Sequence, residues 1–109
     1  MTDPDPTLTA TIGAAIGAIR EGGSALANAA GIPDGTKRDF AGGIGNQLDG
    51  LGTLTYVGEE NVAGRSIRRH GSDVARVRYY RTTLGARTAY LLVHLTANGQ
   101  IADYDTGDF

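Results

Sequence analysis

The sequence has no cysteine, no tryptophan, one lysine and three prolines. Without cysteine there is no disulfide framework, no thiolate metal site and no cysteine nucleophile. No apolar run approaches the ~18 residues that a membrane span needs, and the opening MTDPDPTLT carries no basic n-region. These absences point to a cytoplasmic protein without membrane contact. A chain of 109 residues buries roughly 60–70% of the surface its unfolded form exposes, enough for one core and too little for two. Residues 1–109 are therefore expected to form a single domain.

Charge is segregated although the net value is only −2. Between Arg65 and Arg87 stand seven arginines and one acid, Asp73, a local charge of +6; the remainder carries −8. Such a pattern fits an anion site or internal pairing between neighbouring elements.

The chain changes character near residue 52, with eleven of the 17 glycines at or before Gly52. The spacing of Leu8, Ile12, Ile16 and Ile19 predicts a helix over 6–21, with Pro6 in its first turn and Gly22-Gly23 as its stop. Gly13 and Gly17 inside it suggest close packing against another element. Further helical pieces are expected at 24–30 and 36–48, the latter presenting Phe40, Ala41, Ile44 and Leu48. Beyond Leu51 the residues alternate, predicting strands at 53–57, 62–70, 73–84 and 87–97, then 100–105 as the return of a hairpin. Asn98-Gly99 between strand-like runs predicts a two-residue type I′ turn. It would set Leu95 opposite Ala102 and His94 opposite Asp103. The expected class is α+β, with helices over 6–49 packed on a curved four-stranded antiparallel meander over 53–105.

The ending YLLVHLTANGQIADYDTGDF, an apolar strand, an Asn-Gly turn, a Gln-Ile pair and an aromatic-plus-aspartate close, resembles the final hairpin of the ketosteroid-isomerase-like, or nuclear transport factor two-like, superfamily. The likeness spans about residues 73–106. It implies a cystatin-like cone whose sheet and helices enclose a hydrophobic pocket. It also implies functions ranging from isomerases, polyketide cyclases and dehydratases to non-enzymatic binding and dimerising domains. Asp105 is the position onto which the family's late acid carries over, as an acid or base.

Three sets of residues are candidates for function. His94 beside Asp103 or Asp105 would make either a general base or an ordinary cross-strand ion pair. Arg76, Arg78 and Tyr80 fall on one face of the 73–84 run and Arg81 on the other. As a basic-aromatic stripe they would hold a phosphate or stack a base, or else form a solvated sheet face. The overall acidity argues against nucleic acid. Tyr80, Tyr90 and Leu92 would supply apolar area to a homodimer. Two histidines, His70 and His94, are too few for a zinc site, so no metal or cofactor is assigned. Ser66 and Ser72 lie outside any nucleophile elbow. The glycines 42, 43 and 45 in AGGIGN lack the lysine of a phosphate loop. The leading expectation is a small domain that binds a hydrophobic or anionic ligand or a second copy of itself. The alternatives are an acid/base enzyme of the isomerase, cyclase or dehydratase type, and an anion or nucleic-acid binder working through the arginine-rich strand.

Overall fold

The computed structural model describes residues 2–41 and 47–108, which form an α+β unit. The first helix, α1 (Pro6–Glu21), has the expected bounds. Asp5 caps it by accepting the Leu8 N–H at 3.0 Å, which satisfies one of the donors a helix start leaves unpaired. Leu8, Ile12, Ala15, Ile16 and Ile19 are buried on its inner side. Gly13 and Gly17 are exposed with nothing near them, so these two do not mark a tight helix contact. The second helix, α2 (Gly23–Ala27), and the third, α3 (Asp34–Phe40), are shorter than expected. Pro33 starts α3 two residues early. Ile44 and the glycines of AGGIGN lie outside the described residues.

The sheet consists of β1 (Thr55–Asn61), β4 (Arg76–Leu84), β5 (Arg87–Leu95) and β6 (Ile101–Asp108), all antiparallel and in that spatial order. The expected strand over 62–70 is replaced by a crossing segment. It contains only a two-residue ribbon, β2 (Arg68–Arg69) with β3 (Ser72–Asp73). Its turn, His70-Gly71, has φ of 50° and 81°, the paired positive values of a type I′ hairpin.

The turn at Asn98-Gly99 is of another kind. Gly99 has φ 80°, Asn98 is not in the left-handed region, and the Gly99 N–H bonds the Thr96 carbonyl while the Thr96 N–H bonds that of Gln100. This is a three-residue loop, a type I turn closed by a left-handed glycine. The longer loop sets Leu95 opposite Ile101. A bulge then restores His94 opposite Asp103.

Two apolar clusters hold the layers. On one face α1 packs on Tyr80, Leu91, Val93, Leu95, Ile101 and Tyr104, with Leu26, Phe40 and Leu48 closing the sides. The space between α1 and the sheet is packed with the isoleucines 12, 16 and 19. On the other face, the 62–75 segment covers one end of the sheet through Val62, Val74, Val77 and Ala102.

Gly99→Val will cost about 1 kcal/mol or more in urea denaturation because a β-branched residue resists positive φ. Asn98→Ala will cost clearly less, whereas a type I′ turn would penalise both.

Candidate functional site

His94 extends from β5 on the face away from α1, and alternation along β6 brings Asp103 and Asp105 to the same face. The cross-strand neighbour of His94 is Asp103, but its hydrogen-bond partner is Asp105, with Nε2 2.7 Å from Oδ2. Asp103 is occupied elsewhere. It accepts from Arg69 Nη1 at 3.1 Å and from the Tyr104 N–H at 2.8 Å, and lies 3.4 Å from His70 Nε2. Arg69 also reaches within 3.7 Å of Asp105, and His70 Nδ1 is 2.6 Å from Asp39 of α3. One continuous polar chain thus runs Asp39, His70, Asp103, Arg69, Asp105, His94.

Sequence reasoning finds three members of this chain and misses three. Arg69 and His70 arrive through the β2–β3 turn, and Asp39 through the helix beneath it. The signal is His70-Gly71-Ser72, a short turn sequence that alternation absorbs into the neighbouring strands. His70 also packs edge-on against Phe40, with ring centroids 5.1 Å apart.

The His94–Asp105 pair has acid/base geometry, with the imidazole buried and the carboxylate half exposed. His94 is only 7% exposed. With the Nε2 hydrogen donated to Asp105, the basic nitrogen is Nδ1, which is buried and has no partner among the described residues. A base must reach the proton it removes within about 3 Å. A cleft of about 740 Å³ lies toward the Thr96–Gln100 loop and is lined by residues such as Ser66, Ile67, Arg68, Val74 and Asn98; neither His94 nor Asp105 lines it.

The arginine stripe is divided. Alternation places Arg78 and Tyr80 on one face as expected, but that face lies under α1, and both residues are fully buried. Arg78 donates through Nε to Glu59 at 2.9 Å, through Nη2 to Asp3 at 2.7 Å, and through Nη1 to Tyr80 Oη at 2.7 Å and Thr9 Oγ1 at 3.0 Å. Its guanidinium lies 4.7 Å from the centre of the Tyr56 ring. Burial opposes the charge, but Asp3 and Glu59 outweigh it and hold Arg78 firmly protonated. Asp3 in turn loses solvent, yet Thr9, the Asp5 N–H and Arg78 together lower its carboxyl below the ordinary 3.8. Arg76, half-buried, lies 3.5 Å from Glu59. Arg81 is exposed on the opposite face. Arg78 and Tyr80 are thus structural, and the four residues do not form one exposed patch.

The chain matches no family model, no curated protein and no solved structure.

Two outcomes follow from the Arg78 site. Arg78→Ala leaves Asp3 and Glu59 without their shared cation and opens a space under α1, at a cost of about 3 kcal/mol by chemical denaturation. Exposed surface changes usually stay within about 0.5 kcal/mol. The lowered Asp3 carboxyl adds stability that is complete above its ordinary 3.8 and is lost as pH falls through the lower folded value. The stability difference between the wild type and Asp3→Asn will therefore shrink below that pH, as measured by denaturation at a series of acid pH values.

Proposed function

We propose that the protein is a small binding domain that pairs with a second copy of itself through the part of its sheet that neither α1 nor the 62–75 segment covers. The observation that carries this reading is an apolar patch made by Val57, Tyr79, Tyr90 and Leu92, with Gly58 and Gly107 leaving its margins low. Each of the four large residues is partly exposed. Tyr79 takes the place expected of Tyr80, which is spent in the core. Contiguous apolar residues left uncovered on a sheet favour an interaction surface there.

Charge at the margins favours a second copy as the occupant. Arg81 sits across the ladder from Tyr90, and Asp105 across from Leu92. A two-fold axis repeats each margin on the partner, so one patch brings both signs to the same interface.

The order of helices followed by an antiparallel meander supports a place near the cystatin-like, nuclear transport factor two-like architecture. The acid/base reading drawn from that resemblance has its histidine and carboxylate at 2.7 Å. It has less support than pairing because the side facing the helices is packed and the free nitrogen of His94 faces protein.

Sedimentation velocity at micromolar concentration tests the proposal. The wild type is expected to sediment as a dimer and Leu92→Asp as a folded monomer. A wild type that stays monomeric up to about 100 μM, well above the ~1 μM Kd of a modest complex, overturns it.

A further inference from the structure

The basic segment proves to be neutralised almost entirely from within. Arg65 pairs with Glu60, Arg68 with Asp73, Arg69 with Asp103 and Asp105, Arg76 with Glu59, and Arg78 with Asp3 and Glu59. Arg87 also has an interaction partner. Arg81 differs from all of these. It is exposed, and among the described residues no acid lies within ion-pair distance of it.

The residues around Arg81 are hydroxyls. Thr55 of β1 is its direct neighbour across the ladder, Thr83 follows two residues along on the same face, and Thr88 of β5 stands opposite Thr83. With Thr53 they line a hollow of about 370 Å³ at the end of the sheet, beyond Tyr90. Directly opposed residues hold their Cβ atoms about 5 Å apart, so the guanidinium and several hydroxyls address one small volume. Gly52 packs against Thr83. A side chain there would collide with the Thr83 hydroxyl, whose residue is tied to this loop by the bond from the Gly52 N–H to the Thr83 carbonyl at 2.9 Å.

We infer that this hollow is a binding site for a tetrahedral oxyanion, a phosphate group. A guanidinium fork engages two oxygens of such a group. The remaining oxygens need donors at other angles, and a hydroxyl rotates its hydrogen to supply one. A carboxylate offers only two oxygens and would leave the threonines without a role. Among the described residues no acidic side chain lines the hollow to repel an anion. The −8 borne by the rest of the chain disfavours an extended polyanion while leaving a compact one admissible. The hollow adjoins the apolar patch and takes Arg81 from its margin, so phosphate and a second copy would meet the same guanidinium, and binding is also measured on a variant that does not pair.

Isothermal titration with inorganic phosphate, paired with phosphorus NMR, tests it. The wild type is expected to bind phosphate with millimolar affinity, and acetate at least tenfold more weakly. Arg81→Met, with unchanged thermal unfolding, should abolish binding. Arg81→Lys should weaken it about tenfold by replacing the fork with a point charge, and Thr88→Val several-fold. Phenyl phosphate separates two sources of the same group. Tighter binding than inorganic phosphate, lost in Tyr90→Ala, identifies a phosphate carried on an aromatic body; equal binding identifies the free ion. Running the series also on Leu92→Asp keeps the outcome separate from self-association. Absence of phosphate binding at 20 mM, far above the expected Kd, overturns the inference, as does equal binding by Arg81→Met or equal affinity for acetate.

Discussion

The buried guanidinium of Arg78 is the constraint on which the arrangement of layers depends. A fully buried cation is tolerable only if its donors are met by anions and polar oxygens. Its four partners come from three places: Asp3 before α1, Thr9 inside α1, and Glu59 and Tyr80 on the sheet. The first turn of the helix, the edge strand β1 and the centre of β4 are therefore fixed relative to one another by a single side chain. Thr9 joins both carriers of that network, donating to Asp3 and sharing a hydrogen bond of 2.9 Å with Tyr80. Below this polar corner the interface becomes apolar, with Ile12, Ile16 and Ile19 against Leu91, Val93 and Leu95. The polar end fixes position, and the apolar length supplies most of the favourable energy at about 25 cal/mol per Å² buried.

This arrangement explains which parts of the fold are legible from residue order alone. The helix over 6–21 is readable because its isoleucines have no other periodicity to satisfy, and β5 because Leu91, Val93 and Leu95 alternate without interruption. β4 is readable as a strand and misleading as to its faces. Its helix-facing positions carry Arg78, Tyr80 and Thr82, so a polarity rule assigns to water a row that is in fact buried. Nothing within 76–84 reveals this, because the compensating carboxylates lie 19 residues upstream at Glu59 and 75 upstream at Asp3.

The polar chain at β6 shows the same limit from another side. His94, Asp103 and Asp105 lie within one hairpin, so strand alternation is enough to collect them. The exact pairing depends on two compensating irregularities: the Asn98-Gly99 loop is one residue longer than a type I′ turn, and a bulge at His94/Leu95 takes up the offset. The expected opposition of His94 and Asp103 is observed through a different register path. Arg69, His70 and Asp39 are not collectable this way. Their meeting depends on where a turn of two residues, held in left-handed backbone at His70 and Gly71, lands on a helix 31 residues earlier.

The two faces of the sheet spend their charged residues differently, and this separates structural from available chemistry. On the helix side and under the 62–75 segment, arginines and acids are matched, so each removal leaves a partner unpaired and acts on stability. At the far end of the outer face, Arg81 stands among threonines that are exposed and lack any acid. A charge that folding does not use is free to act on something else. The segregation of charge along the chain is therefore for the most part a record of how β4 and its neighbours are held together, with Arg81 the exposed arginine of the segment that takes no part in that pairing among the described residues.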